Sequence, residues 1–387
     1  MSSPPPTLFQ PIDVGGFTLS HRVVFAPLTR FRATKSTHVP IVPLVKEYYS
    51  QRSRTPGTLL ISEGTLIAAK AGGYANVPGI WSAEQISAWK QVTDAVHANG
   101  SHIFLQLWAV GRGADPLVLS SEDPSFDIVG PSAIPLSTQA TPVPHELSIT
   151  EIQEYINIFA QAAKNAVFEA GFDGVEVHGA NGYLIDQFFQ DVSNTRTDAY
   201  GGSTEKRSRF ALEIIDAVAK VVGVERTGVR LSPWSKFQDM GMADPIPQFT
   251  YFVTQLRIQY PTLAYLHVVE PRISGSVDRV ASAHESNDFI RAIWKPLPYI
   301  TAGAYTRESA LQTAEETGEL VTFGRLYISN PDLPYRLKHD IPLTPYDRST
   351  FYVPGERADA NVGYIDYPFA DVANVNPLHG EETQAHL

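Results

Sequence analysis

The chain has 387 residues, 43% hydrophobic and 18% charged, with a formal net charge of −11, the balance of a globular protein with room for one large α/β barrel or two smaller domains. The negative total, with no basic or aromatic-basic stripe, argues against nucleic-acid binding. The absence of cysteine excludes disulfides, thiolate metal sites, cysteine nucleophiles and cysteine-held iron–sulfur clusters.

The opening "MSSPPPTLFQPIDVGGF" has neither the basic segment nor the apolar run of a signal peptide, and no stretch of about 18 apolar residues occurs anywhere, so no membrane span is expected. A cytosolic address is the default expectation. The terminal Ala385-His386-Leu387 loosely resembles the tripeptides read by peroxisomal import receptors, a match that three residues reach by chance. Monomer and homodimer both stay open.

In chain order, "FQPIDVGGFTLSHR" reads as a hairpin closing the bottom of a barrel. Eight valine-, isoleucine- and leucine-rich runs then read as strands: 22–29, 58–66, 101–108, 174–180, 228–233, 265–271, 298–303 and 320–329. Seven segments between them have a polar or capping start and helical apolar spacing: 42–53, 83–100, 150–171, 204–223, 247–259, 286–295 and 306–318. Strands alternating with helices predict a (β/α)8 TIM barrel, an α/β fold occupying 1–387 as one domain, with its active site at the strand C-terminal ends. Residues 109–149, proline- and serine-rich, and the tail 345–387 read as ordered capping loops near the barrel mouth.

"GFDGVEVHGANGYLIDQF" (171–188) carries the chemistry. Glu176 and His178 share one face of strand four, opposite Val175 and Val177, so His178 is expected to point into the barrel near its catalytic end. Gly179 and Gly182 permit a sharp turn that projects Asn181 into the same space, with Tyr183 at its edge. An imidazole N–H and a carboxamide N–H converging on one point suit a carbonyl or nitro oxygen gaining negative charge. The bland alternative is a satisfied structural histidine. A metal site is disfavoured, because asparagine is a poor first-row ligand and no companion histidine or carboxylate has suitable spacing.

"HGANGYLIDQF" followed by "SNTRTDAYGGSTEKRSRF" strongly resembles the Old Yellow Enzyme family of flavin-dependent ene reductases, its fungal members in particular. The resemblance runs through the chain, because "FAPLTR", "LISEGT", "FLQLWAVGR", "GVRLSP", "HVVEPR", "TAG", "GRLYISNPDLPYRL" and "YDRSTFY" follow in the family's order. It implies a barrel holding FMN, reduced by NADPH or NADH, with a small-molecule α,β-unsaturated carbonyl substrate stacked over the flavin in ping-pong turnover. Matched position by position, it implies that Pro27, Thr29, Gly64, Gln106 and Arg230 contact the flavin ring, and that Gly303, Gly324 and Arg325 hold the phosphate. The last assignment agrees with the general habit of barrels to bind phosphate after strands seven and eight. By the same resemblance His178 and Asn181 hold the substrate oxygen, Tyr183 protonates the α-carbon, and Trp108, Phe237, Phe351 and Tyr352 form pocket walls.

Each of these residues also has a structural alternative: Thr29 as a turn cap, the glycines as backbone geometry, Arg230 and Arg325 in ion pairs, the aromatics as core. Two departures from the family pattern stand out. Ala304 follows Gly303 where many relatives carry asparagine, so it offers a phosphate only its backbone. The loop "ISGSVDRVASAHES" (273–286) differs in composition, leaving substrate shape open. Tyr183 stands where some fungal relatives that look more like isomerases carry phenylalanine, which favours net reduction over a redox-neutral isomerisation or cyclisation. A flavin-free lyase or aldolase would need a Schiff-base lysine or a metal at a strand end, and neither is evident.

Overall fold

The computed structural model describes residues 4–139 and 142–371; the terminal tripeptide lies outside them. Eight parallel strands close into a barrel: β1 (Val23–Phe25), β2 (Leu59–Ile61), β3 (His102–Trp108), β4 (Gly174–Gly179), β5 (Thr227–Leu231), β6 (Tyr265–Val269), β7 (Tyr299–Ala302) and β8 (Leu320–Phe323). Each pairs with its neighbours, β8 with β1, and the ring is complete. Seven helices occupy the connections: α1 (Leu44–Arg52), α2 (Ala83–Ala98), α3 (Ile149–Lys164), α4 (Thr204–Val222), α5 (Ile246–Gln259), α6 (Asp288–Trp294) and α7 (Arg307–Thr317), and α8 (Leu333–His339) follows β8.

Local sequence sets the helix ends. Ser82 and Ser148 open α2 and α3 as capping boxes with Gln85 and Glu151, each pair satisfying two otherwise free backbone N–H groups. At the far end of α7, Gly318 takes the left-handed conformation (φ 75°) that stops the helix. Along α4 the buried Phe210, Ala211, Ile214, Ile215, Val218 and Val222 recur at three- and four-residue spacing. That stripe packs into the shell between helices and barrel, where Val175 and Val177 also lie.

A second apolar cluster fills the barrel's lower interior. Val24, Leu59, Ile61, Phe104, Tyr265, Ile300 and Leu320 converge there, capped by Val14 and Leu19 of the N-terminal hairpin. The hairpin pairs Ile12–Val14 with Phe17–Leu19 around Gly15 and Gly16, both at positive φ, the turn that a two-residue connection requires. With its lower half packed solid, the barrel can open only at the upper end.

Three differences from the sequence reading have local causes. The run 320–329 is a strand only to Phe323, and Arg325–Ser329 is helical. Gly324 (φ −104°, ψ −90°) breaks the extension, and a short buried apolar run does not distinguish strand from helix by its period. The run 58–66 splits into β2 and a short Thr65–Leu66 strand that pairs with the end of β3. Helices Pro116–Glu122, Leu184–Phe189 and α8 were not foreseen, all three having fewer than two turns and so little periodic signal. Residues 109–139 and 142–149 hold that first helix and a small Val129–Gly130/His145–Glu146 ladder. Residues 345–371 lie over three buried arginines. Arg30 and Arg32 donate to the carbonyls of Phe351, Gly363 and Ala360, and Arg52 to that of Tyr364.

Candidate functional site

A cavity of about 580 Å³ opens at the C-terminal ends of the strands. Of the residues singled out in the sequence, Pro27, Thr29, Trp108, Asn181, Tyr183, Arg230, Phe237, Gly303, Gly324, Arg325, Phe351 and Tyr352 line it. They come from β1, β3, β4, β5, β7, β8 and the C-terminal segment, distant in sequence and joined only by barrel closure. His178, Gln106 and Gly64 lie one layer behind this surface. The His178 ring packs edge-on against Tyr183 at 5.1 Å between centroids. A side chain at Gly64 would meet the Trp108 ring at 3.0 Å, so glycine lets the indole lie flat against β2.

Strand register explains the electrostatics beneath the cavity. Arg230 stands level with His178 on one side and His267 on the other. One step below, Glu176 accepts hydrogen bonds from Gln106 Nε2 (2.7 Å) and His267 Nδ1 (2.8 Å). A single carboxylate therefore faces the Arg230 guanidinium and the His267 imidazole. Burial, reinforced by Arg230 and His267, holds His178 well below the usual histidine range, so it is neutral at physiological pH, with one ring N–H to donate. Burial also lowers His267, with Glu176 opposing. For Glu176, burial pushes the carboxyl up, but His267, Arg230 and the hydrogen bond from Gln106 outweigh it and keep it ionised. Arg230 makes no ion pair among the described residues and its Nε has no partner.

Asn181 adopts left-handed backbone geometry (φ 58°), which asparagine tolerates better than most side chains. Its N–H donates to Ser232 Oγ (2.7 Å) at the end of β5, and its carbonyl accepts from Gln238 Nε2 (2.9 Å). Gly182 follows at φ 71° and donates to buried Asp186 (2.8 Å). Any side chain at Gly182 would lie 2.8 Å from the Phe237 carbonyl, so this glycine is required for the β4 and β5 loops to touch. Tyr183 then begins the helix Leu184–Phe189 and packs edge-on against Trp108 at 4.9 Å. Burial, with Tyr74 and Tyr352 adding to it and Arg230 opposing, raises its hydroxyl above the ordinary phenol range.

Of the buried polar atoms without a protein partner, five cluster here: Trp108 Nε1, His178 Nδ1, Asn181 Oδ1, Arg230 Nε and Thr322 Oγ1. All belong to the cavity lining or the layer behind it, whereas native interiors leave few such atoms unsatisfied. The donor set, with a guanidinium in the floor and backbone N–H groups after β7 and β8, fits a flat heteroaromatic ring carrying a phosphate. The Gln106 amide nitrogen is taken by Glu176. Arg325 is engaged by both oxygens of Asp278, so the ion-pair alternative holds for Arg325 in this state.

Tyr74, Arg348, Ile273 and Ser276 also line the cavity, and sequence reading did not single them out. They sit on loops whose path is set by tertiary packing. Arg348 lies inside the quoted "YDRSTFY", and Ile273 and Ser276 inside the loop 273–286, but nothing local assigned them or Tyr74 to the cavity. Among the described residues no group of three or more histidine or acidic side chains could hold a metal, and no helix is long and apolar enough to cross a membrane.

The sequence pattern of the NADH:flavin oxidoreductase / NADH oxidase family matches residues 7–344. A chanoclavine-I aldehyde reductase of Penicillium roqueforti is 53% identical over 94% of this chain and 96% of its own length. A probable inactive reductase of Epichloe festucae var. lolii is 50% identical, covering 94% and 95%. Among solved structures, Old Yellow Enzyme from a Pichia species superposes with a TM-score of 0.84 at 39% identity, covering 94% of each chain. Morphinone reductase in complex with tetrahydroNAD gives 0.84 at 38%, covering 96% and 99%. The cavity, its orphaned polar atoms and these likenesses agree: the chain belongs to the NADH:flavin oxidoreductase / NADH oxidase family and is an FMN-dependent ene reductase of the Old Yellow Enzyme type.

Proposed function

We propose that the protein uses NADPH or NADH to reduce the activated C=C bond of a small α,β-unsaturated carbonyl compound, an unsaturated aldehyde in particular, and that Tyr183 delivers the proton. The aldehyde is suggested by the named activity of the P. roqueforti relative. Bound FMN supplies the two-electron chemistry, taking hydride from the nicotinamide and giving it to the β-carbon.

The observation that carries this reading is Tyr183 itself, a phenol on the cavity wall held between Trp108 and His178. Because its hydroxyl keeps its proton far above neutrality, it is always charged with a proton to give, and a carbanion α to a carbonyl is basic enough to take it. His178, neutral, and Asn181 hold the substrate oxygen by hydrogen bonding as negative charge builds there. Arg230, in the cavity floor, stabilises negative charge on the reduced ring. Pro27, Thr29, Gly64 and Gln106 shape and bond the flavin edge. Gly303, Gly324 and Arg325 take the phosphate, and Trp108, Phe237 and Tyr352 bound the substrate.

The test is product analysis with a cinnamaldehyde-type enal and NADPH. A product two mass units heavier than the substrate with unlabelled NADPH, and three heavier with deuterium at the β-carbon from labelled nicotinamide, is expected. Product of unchanged mass would instead identify a redox-neutral isomerase or cyclisation partner. Addition of a simple phenol to the yellow holoprotein should produce a long-wavelength charge-transfer band, and H178A/N181A should abolish it.

A further inference from the structure

Ala304 is a non-glycine residue in the left-handed region (φ 50°) on the cavity wall. Such a conformation is disfavoured for a residue with a Cβ and persists where the surroundings hold it. Arg272, just after β6, reaches this turn, and its Nε–H donates to the Gly303 carbonyl. Its guanidinium also lies over the Tyr305 ring, 4.5 Å from the centroid. Tyr305 is fixed in turn, its hydroxyl 2.8 Å from Thr301 Oγ1, which donates to Glu270 (2.7 Å). Glu270 is itself paired with Arg291, so Arg272 has no carboxylate to pull it away from Gly303.

The Gly303–Ala304 peptide is planar and trans, so its carbonyl and its N–H point in opposite directions. Arg272 holds the carbonyl on its own side of that peptide. The Ala304 N–H, on the opposite side, has no acceptor among the described residues, and Ala304 lines the cavity. Ala304 has no polar side chain, so this N–H is all it can offer an anion, and an αL residue with its N–H exposed is the kind of backbone concavity that holds phosphate.

We infer that Arg272 is a positioning residue for the FMN phosphate: by clamping the Gly303 carbonyl it aims the Ala304 amide at the anion. The inference rests on FMN as the cofactor, and wild-type protein that fails to bind FMN would sink that cofactor before any variant is compared.

The experiment titrates cofactor-stripped wild type, R272M and R272K with FMN and with riboflavin, following quenching of flavin fluorescence. Riboflavin lacks only the phosphate. Loss of one charge-assisted hydrogen bond should weaken FMN by about 10- to 100-fold in both variants, with riboflavin affinity unchanged. Lysine keeps the charge but not the planar Nε–H, so wild-type FMN affinity in R272K would show that charge alone matters and overturn the inference. Unchanged FMN affinity in R272M would overturn it as well. So would equal weakening, or loss, of FMN and riboflavin in both variants, which would place the role of Arg272 in the fold rather than at the phosphate.

Discussion

Tyr183 and Glu63 show how burial sets chemistry one side chain at a time. For Tyr183 the expected consequence is kinetic. Y183F keeps the ring packed between Trp108 and His178 but removes the proton, so rapid-mixing spectroscopy should find flavin reduction by NADPH within about twofold of wild type. Reoxidation by the enal should slow by ~10²–10⁴, the usual range for a lost general acid. Glu63, behind the β2 end, is fully buried, and burial pushes its carboxyl up to about 7 against the opposing Arg30 and Arg32. The folded state then holds a proton up to about pH 7 that the unfolded state releases near 4.5, so this group's contribution to stability falls as pH rises through that window. The total is roughly 3 kcal/mol at ~1.4 kcal/mol per pH unit. Buried His21, lowered to about 4, and His178 act in the opposite sense, losing stability as pH falls below about 6.5. Melting temperatures of E63Q and wild type should therefore agree near pH 4.5 and separate in favour of E63Q by a few degrees at pH 8. A constant difference across that range would show that Glu63 does not titrate as described.

At the scale of elements, the short hairpin after β6, Ile273–Ser274 paired with Val277–Asp278, bridges the cavity mouth. One side rests on the β5 loop, where the Lys236 N–H donates to Ser274 Oγ (3.2 Å) and Phe237 packs against Gly275. The other is tied by Asp278 to Arg325 and by Ser276 to Arg348 (3.0 Å). Asp278 is more than half exposed, and exposed pairs contribute only about 0–1 kcal/mol to global stability. D278N should therefore leave the melting temperature within about 1 °C of wild type. The hairpin would lose one of its ties on that side, and hydrogen exchange should speed up locally at residues 273–280. Unchanged exchange there would mean that the β5 loop alone holds the bridge.

For the whole molecule, closure of the barrel and attachment of the C-terminal segment are one problem. Arg30, Arg32 and Arg52 are fully buried, and much of their hydrogen bonding goes to carbonyls in 350–364. Arg52 also lies 3.6 Å over the Tyr48 ring. Removing 345–387 would strip these guanidinium groups of many of their acceptors, at several kcal/mol for a group left buried and unpaired, so that truncation should abolish soluble expression. The cofactor contributes at the same scale. Free FMN at 100 times its Kd should stabilise the fold by ~2.7 kcal/mol, a rise of about 3–4 °C for a chain this long. Differential scanning fluorimetry across an FMN series checks it, and a melting temperature independent of FMN would be incompatible with binding to the folded state alone.

The sequence by itself determined the architecture and singled out many of the residues that line the cavity. Alternating strand and helix periods repeat over eight units, and side-chain direction along β4 follows from a period of two, so Val175 and Val177 lie in the outer shell and Glu176 inside with Gln106 and His267. Ser82, Ser148 and Gly318 set helix ends through capping, a local interaction. Only the tertiary structure decided the rest. The helical turn at Arg325–Ser329 depends on how Gly324 leaves the barrel, and Tyr74, Arg348 and Ser276 reach the cavity by loop paths that no short-range pattern encodes. The neutrality of His178 comes from burial, reinforced by Arg230 and His267, one and two strands away but at the same level of the barrel. Periodicity and capping act within a few residues and can be read along the chain, whereas desolvation and charge act through space and exist only once the barrel has closed.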